Sequence, residues 1–143
     1  MTISKIVKRI NEELAGELLT YGELETFLDQ VIDDINHQLD SKFPAFSDFS
    51  AETYPDRYPD YNFFPEEYIR NVVIKGAAYK FYVMDEEGIP TAQMFQYNYQ
   101  DQLFYMLRDY LEYVPEEFKK DGYSAVRLWD VAWKEPWVRY DGL

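Results

Sequence analysis

The fold class of this 143-residue chain is decided by residues 20–39, which read TYGELETFLDQVIDDINHQL. Thr20 followed by Glu23 is typical of a capping box, so a helix is expected to begin here. Apolar residues then recur at three-to-four spacing and form one stripe, which consists of Leu24, Phe27, Leu28, Val31, Ile32, Ile35 and Leu39. This spacing predicts an amphipathic helix of about two dozen residues.

The opposite side of this helix is predicted to be acidic. At about 100° per residue, Asp29, Asp33 and Asp40 fall roughly opposite the apolar stripe, together with His37. Charged side chains on such a face are normally solvated. We therefore expect an acidic ridge that faces water.

Three further helices are predicted, one before this helix in the sequence and two after it. Ser4 is a candidate cap for a short helix ending near Gly16. Pro65 suits the first position of a third helix that runs to about residue 84. Thr91 begins a fourth helix that reaches residue 114 before Pro115. The sequence thus predicts a mainly α protein, a small bundle of about four helices.

The third and fourth helices are apolar on more than one side. The segment Gly76-Ala77-Ala78 favours close approach of another helix. A four-helix protein has too few neighbours to cover both central helices completely. We therefore expect a subunit interface formed by the second faces, with Ile74, Phe81, Met94, Tyr97, Phe104 and Tyr105.

Two segments combine aromatic residues with little periodicity. Residues 44–64 contain three prolines and are predicted to form an ordered projecting loop or small hairpin, with contact residues Tyr54, Tyr58, Tyr61 and Phe63. Residues 115–143 contain all three tryptophans and are predicted to form an extended C-terminal arm, separate from a bundle domain over residues 1–114. This arm either folds back onto the bundle or inserts into a partner. Its candidate partner-binding residues are Trp129, Trp133, Trp137, Val138, Arg139, Tyr140 and Leu143.

Composition joins strong acidity to an excess of aromatic residues. The chain has 14 Lys and Arg against 27 Asp and Glu, a net charge of −13, and 19% aromatic residues. Disordered acidic tails are poor in aromatics, and sequence-independent nucleic-acid binders need a basic surface, so both classes are excluded. Residues 21–64 alone carry −8. Dense large aromatics are typical of cores and protein interfaces, so this composition favours a protein partner.

Residues for common kinds of catalysis are sparse. The absence of cysteine excludes disulfides, thiolate metal sites and cysteine nucleophiles. His37 is the single histidine, whereas a di-iron bundle needs two acid-x-x-His units. Phosphate-binding, calcium-binding and hydrolase motifs do not occur. We expect no cofactor and no metal, and no enzyme; a hydrolase built on paired carboxylates such as Asp33-Asp34 is the weakest alternative.

The sequence also shows no targeting signal. No apolar run approaches the roughly 20 residues of a membrane span. The first nine residues lack the apolar region of a signal peptide. We expect no membrane contact and a location in the cytoplasm of the producing cell.

Three stretches carry a resemblance to a known family. They are LDQVIDDINHQL (28–39), FPEEY (64–68) and IKGAAYKFY (74–82), followed by a last long helix from Tyr99 through Tyr110. In this order they resemble the head–tail connector (adaptor) proteins of tailed bacteriophages, over roughly residues 20–114. The resemblance implies a helical bundle repeated in a ring, commonly of twelve copies, beneath the portal. Such rings extend the DNA channel and offer a platform for tail components.

The resemblance also implies partners and a location. The partners would be the portal ring, neighbouring copies of the chain, and a tail or stopper protein, with DNA passing through without specific binding. The location would be the neck of the virion, and the host cytoplasm during assembly. The arm would reach toward the portal, although the Tyr-Pro loop is an alternative for that contact. Carboxylates repel phosphates, so Asp29, Asp33 and Asp40 are candidate channel-facing acids.

A second function class fits the same charge. An acidic helical protein can mimic DNA and occupy the basic groove of a nuclease or repressor. Salt separates the two hypotheses, because binding by a mimic should weaken steeply with rising salt, whereas binding by an aromatic arm should tolerate it.

Overall fold

A computed structural model describes residues 1–14, 17–84, 89–110 and 114–119, and these residues form a mainly α-helical bundle. Its four helices are α1 (Ile3–Glu13), α2 (Tyr21–Leu39), α3 over residues 66–84, and α4 (Ile89–Tyr110). Two short 3-10 turns occupy Phe46–Asp48 and Glu116–Phe118. The predicted mainly α bundle of four helices is confirmed.

Helix α2 begins as predicted but ends earlier. The Thr20 hydroxyl accepts a hydrogen bond from the Glu23 amide at 3.3 Å, and the Glu23 carboxylate accepts one from the Thr20 amide at 3.2 Å. The helix ends after Leu39 because Asp40 adopts the left-handed conformation, with φ of 49°. A short polar side chain tolerates that conformation better than most residues do. Helix α2 therefore has 19 residues, and its apolar stripe faces the core.

Helix α1 is capped two residues earlier than predicted. Thr2, and not Ser4, caps it, since the Thr2 hydroxyl accepts from the Lys5 amide at 3.2 Å. The Asn11 side chain then holds the returning chain: Nδ2 donates to the Leu19 carbonyl at 2.9 Å, and Oδ1 accepts from the Leu19 amide at 3.0 Å. These two bonds turn the chain from α1 toward α2. The predicted end of α1 near Gly16 lies outside the described residues.

Helix α3 lies at the centre of the bundle and contacts α1, α2 and α4. It consists of one α-helical turn at Glu66–Tyr68, a π-helical segment at Ile69–Ile74 and an α-helical segment at Lys75–Met84. Four side chains of the π-helical segment are buried, namely Ile69, Val72, Val73 and Ile74. The wider π-helical turn brings more consecutive side chains toward the core than an amphipathic α-helix would. Two sides of α3 are thus covered within one chain.

Helix α4 runs antiparallel to α3. The Tyr68 hydroxyl lies 3.5 Å from Asp109 Oδ2 at one end of the pair, and the rings of Tyr82 and Phe95 stack 5.3 Å apart at the other. Gly76 lies between them, and a Cβ at this position would be only 2.7 Å from Cε1 of Tyr99. The predicted close approach at Gly76 is confirmed.

Most aromatic side chains of residues 44–64 belong to the core, so the predicted projecting loop is wrong. Phe46, Phe49, Tyr61 and Phe63 are buried, and the rings of Phe46 and Tyr61 stack with centroids 4.1 Å apart. The Tyr61 hydroxyl donates to the Pro44 carbonyl. Aromatic rings are stabilised far more by this mutual packing than by exposure to water.

Backbone pairing with the N-terminal residues holds this segment in place. The Ile3 amide donates to the Pro59 carbonyl at 3.1 Å, and the Tyr61 amide donates to the Met1 carbonyl at 3.0 Å. Just before the segment, the Lys42 amide donates to the Phe118 carbonyl at 2.8 Å. These contacts join residues far apart in sequence, which local patterns do not reveal.

The described start of the predicted arm, residues 115–119, packs on the bundle. Phe118 is buried, and its ring lies 5.0 Å from that of Phe43. The Arg57 guanidinium lies 4.6 Å above the Phe63 ring and pairs with Glu117 at 3.1 Å. Phe118 and Glu117, near the start of the predicted arm, therefore pack against the aromatic segment.

Candidate interaction surface

The predicted partner-binding residues of the arm lie outside the described residues. These are Trp129, Trp133, Trp137, Val138, Arg139, Tyr140 and Leu143. Their role stays a prediction.

Of the four predicted loop contacts, two are wrong. Tyr61 is fully buried and Phe63 is 4% exposed, so neither can contact a partner without unfolding of the segment. Tyr54 is half-buried, with its ring 5.2 Å from Phe63. Tyr58 keeps a large exposed surface, although one edge of its ring packs on Phe49.

The six residues of the predicted subunit interface also differ in exposure: one is buried, one is half-buried and four are exposed. Ile74 is buried inside its own chain because the π-helical segment faces the core on two sides, so this assignment is wrong. Phe81 is half-buried and contacts Phe27 edge-to-face, with ring centroids 5.9 Å apart. The remaining four residues are all exposed on α4 and define what we call the α4 outer stripe: Met94 (71% exposed), Tyr97 (76%), Phe104 (38%) and Tyr105 (45%).

The α4 outer stripe lies directly opposite the buried face of its helix. Ala92, Tyr99 and Met106 recur every seven residues and are buried against the bundle. At 3.6 residues per turn the outer stripe is centred about half a turn away from them. Asp101 is exposed within the stripe, and the Arg108 guanidinium lies 5.1 Å from the Tyr105 ring. The stripe is thus an apolar surface that carries one acid, Asp101, and one base, Arg108, which also pairs with Asp109 at 3.1 Å.

One carboxylate fixes α4 to the bundle from its inner side. Asp34 Oδ2 accepts a hydrogen bond from the Tyr99 hydroxyl at 2.8 Å and pairs with the Lys80 ammonium at 2.9 Å. Burial, with the nearby Asp34 charge, raises the pKa of the Tyr99 hydroxyl well above its usual value. Helices α2, α3 and α4 meet at this point, so the outer stripe is presented on an anchored helix.

This junction was not predicted from the sequence. Asp34 was paired there with Asp33 as a candidate acid dyad, but adjacent helical residues point about 100° apart. Asp34 faces Lys80 and Tyr99, whereas Asp33 is exposed. The helical periodicity of α4 groups Tyr99 with apolar residues, and it does not indicate that the Tyr99 hydroxyl bonds to α2.

The predicted acidic ridge is partly occupied by local contacts. Asp29 Oδ1 accepts a hydrogen bond from the Ser47 amide at 3.2 Å, and Asp40 terminates α2. Asp33 is exposed and lines an open depression of about 560 Å³ together with Asp48. An acidic surface therefore remains, formed by α2 and the segment that follows it.

Other kinds of site have little support in the ranges that the structure covers. Among those residues, no group of three or more His, Asp or Glu side chains is arranged to hold a metal ion. His37 is exposed on α2. Within the same ranges, every helix is too short or too polar to cross a membrane.

Comparison of the chain with protein-family models gave no match, and comparisons with curated proteins and with solved structures gave no significant match.

Proposed function

We propose that this chain is a structural virion protein of the head–tail connector class, which forms a ring beneath the portal, extends the DNA channel and docks tail components. The proposal starts from the resemblance of residues 20–114 to that family. The observation that carries it is the α4 outer stripe, which presents four large apolar side chains on an anchored helix.

Exposed apolar surface of this kind is typical of assembly contacts. Contiguous apolar patches on a monomer commonly mark interaction sites, and aromatic residues with Met and Arg are enriched at interface centres. A head-to-tail ring needs two different patches on each subunit. Val83 and Met84 at the end of α3, 52% and 71% exposed, are candidates for part of the second patch.

The acidic surface suits a channel through which DNA moves. Carboxylates that face phosphates repel them, so the duplex would pass without being held. Asp33, Asp48 and Glu52 are exposed, whereas the Asp29 carboxylate accepts a hydrogen bond from the Ser47 amide and Asp40 is half-buried. We propose the first three, in place of the ridge predicted from the sequence, as channel-facing acids.

Electron microscopy of the purified chain mixed with portal rings tests this proposal. The expected result is an added annulus on the portal, which the double variant Met94→Ser/Tyr97→Ser no longer forms. Leu18→Ser is the matched control, since Leu18 is 88% exposed but lies outside α4. Folded wild-type chain that adds no density to any portal ring would contradict the proposal.

A second candidate function is a DNA mimic, and one observation favours it. Asp33 and Asp48 line the same open depression, and they are two of the ten acidic residues within residues 21–64. A basic partner held by such carboxylates should be released by moderate salt. Binding that survives high salt, and is insensitive to Asp33→Asn with Asp48→Asn, would contradict the mimic.

A further inference from the structure

The α4 outer stripe and residues 120–143 are complementary in composition. The stripe is apolar with Asp101 at its centre. Residues 120–143 contain all three tryptophans of the chain, interleaved with the bases Arg127, Lys134 and Arg139. We infer that, in the isolated chain, the α4 outer stripe is covered by the chain's own residues 120–143.

The charge distribution supports this pairing. Residues 120–143 hold four Lys and Arg against four Asp and Glu, so the net charge of −13 resides entirely in residues 1–119. A neutral segment approaches such a body without the repulsion that a second acidic copy would meet. Its bases can also lie beside Asp101, where they would offset a carboxylate that faces an apolar cover.

The end of the described chain places this segment within reach. Phe118 and Lys119 are held against Ser41 and Lys42 by backbone pairing, and Lys119 is nine residues beyond the end of α4. Helix α4 has 22 residues and is about 33 Å long. A stretch of 24 residues can span at most about 80 Å, which is ample for residues 120–143 to reach along the stripe.

A second copy is the weaker occupant for two reasons. A two-fold pairing centred on Asp101, the middle of the stripe, brings the two copies of Asp101 side by side, and like charges at an apolar interface are unfavourable. A tethered segment also competes at an effective concentration in the millimolar range, which exceeds ordinary concentrations of free chain.

The tryptophans provide a specific reporter, because Trp129, Trp133 and Trp137 all lie in the inferred cover. Tryptophan fluorescence of the full chain therefore reports on this segment alone. We expect blue-shifted emission and weak quenching by acrylamide in the wild-type chain. Met94→Ser/Tyr97→Ser should shift the emission to the red and increase the quenching constant at least twofold.

Controls separate this effect from others. Leu18→Ser should leave emission and quenching at wild-type values, and unchanged urea midpoints would show that the variants are folded. Emission that is fully solvent-like in the wild-type chain, or unaffected by the stripe variant, would overturn the inference. Emission that changes on dilution would also overturn it, because a second copy would then be the occupant. The measurement uses no portal, so its outcome is independent of the proposed function.

Discussion

Gly76 of α3 lies against the ring of Tyr99 of α4 so closely that a Cβ at Gly76 would be 2.7 Å from Cε1 of Tyr99. The same Cβ would be 2.8 Å from Cγ2 of Val31 in α2. Tyr99 cannot move aside freely, because its hydroxyl is bonded to Asp34. One missing side chain thus allows three helices to meet.

Replacement of Gly76 by alanine should therefore destabilise the fold. Overpacking of a close-packed core costs about 1–3 kcal/mol, and the gain in helix propensity from glycine to alanine offsets about 0.5–1 kcal/mol of it. We expect Gly76→Ala to lower the free energy of unfolding by about 1–2 kcal/mol in urea denaturation. Gly22→Ala is the control, because its nearest contact would be an ordinary 3.9 Å. Equal stability of the two variants would contradict the close contact.

The Asn36 side chain should be needed to hold residues 41–43, which lead from α2 into the aromatic segment. Its Nδ2 donates to the Phe43 carbonyl at 3.0 Å, and its Oδ1 accepts from the Phe43 amide at 2.7 Å and from the Ser41 hydroxyl at 3.0 Å. Asn36→Ala removes these three hydrogen bonds and should cost about 2 kcal/mol of stability by urea denaturation.

Asn36→Asp keeps the acceptor but not the donor, so an intermediate loss is expected. Gln38→Ala, on the exposed side of the same helix, should change stability by less than about 0.5 kcal/mol. If Asn36→Ala behaves like Gln38→Ala, the side chain does not hold the segment.

The fold should lose stability at alkaline pH through Tyr99. Burial raises the pKa of the Tyr99 hydroxyl above its usual 10.0, and the Asp34 charge raises it further. As the pH rises, the Tyr99 hydroxyl therefore ionises at a lower pH in the unfolded chain than in the folded chain. The contribution of Tyr99 is fully present below pH 10 and declines above it, by about 1.4 kcal/mol per pH unit.

Unfolding free energies measured by urea denaturation from pH 8 to pH 11.5, in Tyr99→Phe and wild type, test this prediction. The variant should lose about 1 kcal/mol at pH 8, since one hydrogen bond is missing, but should decline less steeply above pH 10. Tyr97→Phe, on the exposed side of α4, is the matched control. A wild-type slope in Tyr99→Phe would mean that other groups control alkaline unfolding; fully buried Tyr61, whose pKa is also raised by burial, is the first candidate.

The burial of residues 44–64 predicts very different effects for two tyrosines of that segment. Tyr61→Ala removes a buried ring stacked on Phe46 and should cost about 3–5 kcal/mol. Tyr58→Ala removes a ring that is 44% exposed and should cost less than about 1 kcal/mol. Similar small losses at both positions, measured by urea denaturation, would show that the segment projects after all.

The candidate interaction surface could be predicted only in part. Helical spacing identified the second faces of α3 and α4 as apolar, and four of the six residues chosen from them are exposed on α4. Spacing could not show that the π-helical segment turns Ile74 into the core, because the pattern assumes 3.6 residues per turn. It also could not separate Asp33, which is exposed, from Asp34, which binds Lys80 and Tyr99.

The sequence by itself determined the local features of this protein: the capping box at Thr20, the buried stripe of α2, the start of α3 after Pro65 and the close contact at Gly76. Each depends on residues within a few positions of one another, or on the size of a single side chain. Only the tertiary structure decided that aromatic residues of the segment 44–64 belong to the core. Their place depends on backbone bonds between the segment and Met1 and Ile3, and on the Phe118 ring, which packs edge-to-face on Phe63. Local periodicity shows which side of a helix is apolar. Which other element of the chain covers that side depends on contacts between residues far apart in sequence.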